Sequence, residues 1–207
     1  MYSLEMLAGK EHFAEGFAKA NVPAVPQLVE MAQDLGVKFI ACQMTMDVMG
    51  LTKEDFVKMA VVERHKGTGS VGIGIVKGFQ LQKGAIATTI AHDSHNIICI
   101  GTNDADMDVA IRELEAIGGG ISIVCEGEVL ASLALPVGGL MTTISPQQLN
   151  ENYSELVEAL SILGITKDFS PLLTLSFLAL PVIPSLKLTN QGLFDVDTFS
   201  FVSVSVH

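Results

Sequence analysis

The sequence predicts an α+β fold for residues 59–207, with helices packed against a mixed or antiparallel sheet. Three observations support this prediction. Short apolar runs follow one another between residues 59 and 101 at lengths typical of strands. Two amphipathic helices then alternate with further β-type runs, and the chain ends in alternating valines and serines. Hydrophobic residues make up 49% of the chain and charged residues 17%, a composition that excludes a disordered polymer.

The elements before residue 102 follow from apolar periodicity. A helix is predicted near residues 25–35, with Pro26 in its opening turn and Gly36 as its stop signal. A β run at 37–44 and a helical segment at 45–57 come next. Four strands are then predicted, at 59–63, 71–79, 85–91 and 97–101.

Two helices and a hairpin are predicted beyond residue 102. Asn103 or Asp104 opens the first helix, and the glycines at 118–120 end it. Its inner face is expected to hold Met107, Ala110, Ile111, Leu114 and Ile117. Runs at 121–125 and 128–135 form a hairpin around 126–127.

The second helix begins at Ser145, with Pro146 in its first turn and Gln148 completing a capping box. Its apolar face is expected to hold Leu149, Tyr153, Leu156, Val157, Leu160 and Leu163. The apolar run at 171–186 is too short to span a bilayer, and it predicts a buried strand followed by a proline-stiffened connection. The tail at 199–206 predicts a half-buried or edge strand.

Charge and cysteine content restrict the partners and the compartment. The net charge of −11 comes without a basic patch, which argues against nucleic acid and anionic membranes as partners. Residues 1–17 carry several charges and lack the apolar core of a signal peptide. Three cysteines without a CxxC pair favour a reducing cytoplasm. The apolar excess and low charge favour a homo-oligomer.

A polar cluster interrupts the apolar strands at residues 92–96. It contains His92, Asp93, Ser94, His95 and Asn96. Rigid strands often hold such loops as binding or catalytic sites, so the two histidines and the carboxylate are candidate catalytic groups. The alternative is a polar turn whose side chains satisfy nearby backbone groups. The strand-end context offers no third or fourth metal ligand, so no intrinsic metal site is predicted.

Residues 58–207 resemble the C-terminal domain of bacterial adenine deaminases. The resemblance rests on several motifs in order, at 60–69, 73–96, 101–104, 135–141 and 186–189. It implies hydrolytic deamination of adenine to hypoxanthine by a complete enzyme that uses manganese or iron. In that family an amidohydrolase barrel with an HxH pair holds the metal. The chain has five histidines and no HxH, so we expect no metal bound by this chain alone and no activity in isolation.

The resemblance also implies that this domain covers or completes a purine site formed mainly by the barrel. Glu63, Arg64 and His65, followed by a flexible glycine turn, are then expected to bind substrate together with Ser94 and Asn96. His92, Asp93 and His95 are the expected catalytic groups. Alternatively, Glu63 and Arg64 are solvated or paired at the surface, and Asp93 orients a buried histidine.

Residues 1–57 are similar to the closing part of DsrE-like sulfur-handling proteins, on the stretch 36–50 and the helix before it. This similarity implies a partial α/β fragment joined to the deaminase-like domain near residues 56–59. It suggests an alternative function, a sulfur-relay or redox module acting through Cys42, which would require an accessible thiol of low pKa. A buried strand cysteine is the more common case. A non-catalytic assembly domain is the third possibility.

Overall fold

A computed structural model of the chain describes residues 55–166 and 170–204. The elements predicted before residue 55, and Cys42 with them, lie outside the described residues. The end of the helical segment predicted at 45–57 is wrong, because Phe56 and Val57 already belong to a strand. The β-branched residues of that strand favour an extended backbone.

The larger of two sheets has six strands, and every neighbouring pair is antiparallel. The strands are β1 (Phe56–Val62), β2 (Val71–Lys77), β3 (Ala85–Thr88), β4 (Ile97–Gly101), β5 (Gly120–Cys125) and β6 (Glu128–Ala134). Their order across the sheet is β2-β1-β4-β3-β5-β6. The structure thus confirms the predicted α+β class, the antiparallel option and the hairpin around residues 126–127.

Apolar side chains cover both faces of this sheet. Ala60, Val62 and Cys99 belong to a core cluster with the first helix, α1 (Asp104–Ala116). Met59 and Val61 belong to a second cluster on the opposite face. Because β1 is buried on both faces, its sequence is a continuous apolar run rather than an alternating one.

Helix α1 begins as predicted. The Asn103 side chain accepts a hydrogen bond from the Asp106 backbone N–H, and Asp104 and Asp106 lie in the first turn. Met107, Ala110 and Leu114 are buried against the sheet, while Ile111 and Ile117 pack at the edge of the cluster.

The second helix, α2 (Pro146–Ile162), is capped by Ser145, whose side chain accepts from the Gln148 N–H. The Gln148 Nε2 donates to the Asn152 side chain one turn later, and the reciprocal half of the capping box, from the Ser145 N–H to the Gln148 oxygen, stays a prediction. The apolar face predicted for its first half is wrong: Leu149 and Tyr153 are 37% and 48% exposed. The second half of the helix is the part that packs on the core, with Leu156, Ala159 and Leu160 buried.

The apolar run at 171–186 is not a strand. Pro171 opens a short helix, α3 (Pro171–Phe177), with Leu175 buried against the core. An apolar run alone does not distinguish a buried strand from a buried helix, and the Ser-Pro pair at 170–171 is a helix-start signal.

A second sheet of three antiparallel strands follows α3. It contains β7 (Leu186–Thr189), β8 (Gly192–Asp195) and β9 (Ser200–Val202) in that order. The hairpin between β7 and β8 was not predicted. Strand β9 confirms an edge strand in the tail, but it is shorter than the predicted 199–206, since residues 203 and 204 are not part of it. No helix among the described residues is long and apolar enough to cross a membrane.

Candidate functional site

The antiparallel register brings several connections to one end of the six-stranded sheet. Strand β1 ends at Val62, which pairs both with Val71 at the start of β2 and with Ile97 at the start of β4. Strands β3 and β6 end at the same level, opposite Ile121 and Gly120 of β5. The loops at 63–70, 89–96 and 135–141 therefore meet, although 74 residues separate Arg64 from Gly138.

Glu63 organises its own loop. Its carboxylate accepts hydrogen bonds from the backbone N–H groups of His65, Lys66 and Thr68 at 2.5, 2.7 and 3.0 Å. The Thr68 hydroxyl donates a further bond of 3.0 Å. Burial alone would raise the pKa of Glu63, but these donors outweigh it and lower the pKa to about 2. The carboxylate is therefore ionised at neutral pH and folds the loop that carries its neighbours; a contact with substrate stays a prediction.

Arg64 connects the three loops. Its Nε donates to the carbonyl of His95 at 2.5 Å, and its Nη2 donates to the carbonyl of Gly138 at 2.7 Å. The guanidinium also lies against Gly139, since a Cβ at that glycine would come within 2.7 Å of Nη2. Burial lowers the pKa of the half-buried Arg64. Two of its N–H groups are thus directed at backbone carbonyls.

Thr89 fixes the Gly138-Gly139 loop from the other side. Its hydroxyl donates to the carbonyl of Gly139 at 2.5 Å and accepts from the N–H of Gly120 at 2.9 Å. Gly119 and Gly139 approach so closely that a Cβ on Gly119 would lie 2.7 Å from the Cα of Gly139. Sequence reasoning gave none of these residues a role at the site and assigned Gly119 and Gly120 only to the end of helix α1; the adjacent glycines within the motif at 135–141 were the available signal.

His92 and His95 lie side by side in the turn between β3 and β4. Their ring centroids are 5.7 Å apart at an interplanar angle of 73°, and the ring of Phe177 lies 4.8 Å from that of His92. The backbone of His95 is left-handed (φ 48°), and its N–H donates to the carbonyl of Ala91 at 2.6 Å.

The His95 ring is suited to be neutral at pH 7. Burial lowers the pKa of His95, and the nearby His92 and Arg64 lower it further. Its Nδ1 accepts from the Ala91 N–H at 3.4 Å. This bond assigns the ring proton to Nε2, which can donate it to a bound molecule.

The remaining candidates flank this histidine pair. His65 is exposed, and its Nε2 lies 2.7 Å from the carbonyl of Ser94. Asp93 and Ser94 are exposed at the tip of the turn. Asn96 is buried; its amide nitrogen donates to Asn190 at 3.3 Å, while its Oδ1 has no hydrogen-bond partner within the described part of the chain. The fold therefore brings all eight predicted site residues of 63–65 and 92–96 to one region.

This donor set does not fit the metal that the family implies. Across residues 55–166 and 170–204, no three His, Cys, Asp or Glu side chains are grouped so that they could hold a metal ion. The rings of His92 and His95 are inclined at 73° to each other, and Nδ1 of His95 faces a backbone N–H. We derive no chemical step through a metal on these residues.

An open cleft of about 420 Å³ lies between the 92–95 turn and the second sheet. Polar residues line one part of it: Asp93, Ser94, Thr189, Asn190 and Gln191. Apolar residues line the rest: Ala179, Pro181, Val182, Phe194, Phe199 and Phe201. We call this feature the aromatic cleft. It was not predicted, because it depends on the unpredicted β7–β8 hairpin.

Comparison with known proteins identifies two families along the chain. The model of the adenine deaminase C-terminal domain matches residues 41–200, and that of the DsrE/DsrF/DrsH-like family matches residues 3–66. Both resemblances noted in the sequence are thereby confirmed. The two matches share residues 41–66, so the joint expected near 56–59 stays a prediction.

Curated adenine deaminases match the C-terminal part of the chain. The protein of Nitratidesulfovibrio vulgaris (strain DP4) is 57% identical over 154 residues, which is 74% of this chain and 27% of that protein. The proteins of Halalkalibacterium halodurans and Bacillus subtilis are 58% and 54% identical over 153 residues, each match covering 74% of this chain and 26% of the relative. The chain thus spans about a quarter of the length of these relatives. Because the family match covers residues 41–200, which is more than half of the chain, the chain belongs to the adenine deaminase C-terminal domain family.

Proposed function

We propose that residues 58–207 complete the purine site of an adenine deaminase whose metal-binding barrel is a separate structural unit, and that residues 1–207 do not deaminate adenine alone. The observation that carries this proposal is the convergence of the 63–70, 89–96 and 135–141 loops at one end of the sheet, within a domain of this family. Hydrolytic deamination adds water to the amino-bearing ring carbon and releases ammonia. The described residues contain no group able to hold a metal that would activate this water.

The side chains at this end of the sheet suit proton transfer and recognition of a purine edge. A neutral His95 with its proton on Nε2 can donate a hydrogen bond to a ring nitrogen. The exposed carboxylate of Asp93 can accept from an N–H or amino group. In this proposal His92, Asp93 and His95 exchange protons with the substrate, while Arg64 and Glu63 hold their loops in place.

A domain exchange tests the proposal. Residues 58–207 replace the matching C-terminal region of the Nitratidesulfovibrio vulgaris enzyme, where 57% identity favours a preserved interface. Ammonia and hypoxanthine are measured with adenine and manganese, for the exchanged enzyme and for the 207-residue chain alone. We expect turnover from the first and none from the second.

Variants of the exchanged enzyme assign the roles. His95→Ala and Asp93→Asn should each lower kcat at least tenfold. Lys83→Ala is the matched control, since Lys83 is half-exposed in the loop at the opposite end of the sheet. Turnover by the isolated chain would refute the proposal, as would unchanged kcat in both site variants.

A second candidate function, sulfur transfer through Cys42, is favoured by the match of residues 3–66 to the DsrE/DsrF/DrsH-like family. It requires an accessible thiolate at Cys42. Rapid alkylation of Cys42 at pH 7, together with a trapped persulfide after incubation with a sulfur donor, would support it. Slow alkylation, at the rate of an ordinary thiol, would contradict it.

We also propose a homo-oligomer in the cytoplasm. Several large apolar side chains between β6 and the middle of α2 are exposed: Val137, Leu140, Met141, Ile144, Leu149 and Tyr153. Light scattering on the purified chain tests the oligomer, with a monomer as the contrary result. Cell fractionation tests the compartment.

A further inference from the structure

We propose that the aromatic cleft itself binds an uncharged, planar heteroaromatic base, in the form of the free base rather than its nucleotide. The choice of ligand rests on the proposed function, but binding to the cleft does not require the rest of a deaminase. The inference depends on the size of the cleft, its aromatic side, its polar end and its charge.

The size and the aromatic side suit a flat ring. A volume of about 420 Å³ lies within the range of about 300–1,000 Å³ typical of small-molecule sites. The rings of Phe199 and Phe201 each meet Phe194 edge-on, with centroids 5.2 Å apart. Phe199 is 77% exposed and Phe201 is 54% exposed, which is unusual for such apolar side chains. Their open faces offer a base a surface on which to stack.

The polar end supplies hydrogen-bonding groups that a hydrocarbon ligand would leave unused. The carboxylate of Asp93 lines the cleft, is exposed, and can accept from the N–H and amino groups of a base. The exposed amide of Gln191 can both donate and accept.

Asn190 is held rigidly beside these two groups. Its Oδ1 accepts from Asn96 at 3.3 Å, and its Nδ2 lies 3.2 Å from the hydroxyl of Ser70. Ser70 in turn donates to the Asn190 carbonyl at 2.7 Å. This part of the lining is therefore formed before any ligand arrives, which reduces the entropy lost on binding.

The charge of the cleft distinguishes a free base from a nucleotide. Among the residues that the structure describes, its lining includes the carboxylate of Asp93 and no lysine or arginine. The chain as a whole carries a net charge of −11. A phosphate group would meet a negative potential with no cation in this described lining to balance it, whereas an uncharged base would not.

Calorimetric titration of the full 207-residue chain with adenine, and separately with adenosine 5′-monophosphate, tests the proposal. We expect one adenine per chain and at least tenfold weaker binding of the monophosphate. Phe199→Ala should weaken adenine binding at least tenfold, and because the side chain is 77% exposed the substitution removes little buried surface. Asp93→Asn should do the same through loss of the acceptor. Ile162→Ala is the control, since Ile162 is 53% exposed at the end of α2 and is not among the residues that line the cleft.

Three results would overturn the proposal: no adenine binding at millimolar concentration, binding unaffected by both cleft variants, or a monophosphate that binds as tightly as adenine. If adenine does not bind and Phe199→Ala instead dissociates an oligomer, the cleft is a contact between copies. Failure of this proposal can be told apart from failure of the proposed function. If the domain-exchanged enzyme is active but the 207-residue chain does not bind adenine, only the cleft proposal is refuted. If the chain binds adenine but the domain-exchanged enzyme is inactive, only the deaminase role is refuted.

Discussion

Replacing Arg64 by Ala should destabilise the domain more than replacement of a typical half-buried residue. The variant loses two charge-assisted hydrogen bonds, to the carbonyls of His95 and Gly138. Each such bond contributes about 1.5–3 kcal/mol, and water can partly replace the donors at this half-buried position. The lower end of that range gives a loss of about 3 kcal/mol in the free energy of unfolding. In a domain of this size the loss corresponds to a fall in Tm of about 6–12 °C.

Urea unfolding followed by far-ultraviolet circular dichroism measures this loss. Fluorescence is less suitable, because the chain has no tryptophan. Arg64→Lys is the matched variant: it keeps the positive charge, but its single ammonium cannot reproduce the planar fork that reaches two loops. It should lose about half as much, roughly 1.5 kcal/mol.

The two variants also separate charge from geometry at His95. Burial lowers the pKa of His95 most, and the neighbouring His92 and Arg64 lower it further. Arg64→Ala should therefore raise the pKa of His95 in an NMR titration, and Arg64→Lys should raise it less. A free energy of unfolding within about 0.5 kcal/mol of the parent for Arg64→Ala would refute the reasoning, since surface substitutions without a structural role fall in that range.

Three further predictions follow from the same region and from the core. Gly139→Ala should lower the free energy of unfolding in urea more than Gly138→Ala does. Both glycines have left-handed backbones (φ 77° and 68°), in which an alanine is strained by about 1–2 kcal/mol. A Cβ at Gly139 would in addition collide with the Arg64 guanidinium. Equal losses would contradict the close approach. Glu63 has a pKa lowered from 4.5 to about 2, so it adds stability above pH 4.5 that is lost as the pH falls toward 2. Glu63→Gln should flatten the stability profile in that window, and an unchanged profile would contradict the assignment. Cys99 and Cys125 are buried, and burial raises the pKa of the Cys99 thiol. Neither should react with a thiol reagent until the protein unfolds, and reaction of either in the native state would contradict its burial.

Elements with local signals at both ends could be predicted from the sequence. Helix α1 begins at the predicted cap, because the Asn103 side chain accepts a hydrogen bond from the Asp106 N–H in the first turn. Strand β4 has the predicted bounds, since the polar residues 92–96 precede it and Gly101 ends it. Residues 171–177 were predicted wrongly, because hydrophobicity without periodicity fits a buried helix as well as a buried strand.

The candidate site, too, could be predicted only in part: its residues from the sequence, but not their arrangement. The polar composition at 63–65 and 92–96 identified its residues, since charged groups between apolar strands are conspicuous in a chain with so little charge. Their arrangement depends on pairing between distant strands. The antiparallel register of β1 with β4 places Arg64 beside His95, and the return of β6 to β5 brings Gly138 and Gly139 under the same guanidinium.

The sequence by itself determined the α+β class, most element boundaries between residues 56 and 162 to within about two residues, the two family resemblances and the residues of the candidate site. These properties depend on local propensity, capping and composition, which each short segment carries within itself. The tertiary structure decided which polar groups are already bonded within the protein and which are open to a ligand. Glu63 and Arg64 hold loops, whereas Asp93 lines a cleft. The tertiary structure also placed Phe199 and Phe201 on the aromatic side of that cleft. Those roles arise from contacts between segments far apart in the chain, so no single segment encodes them.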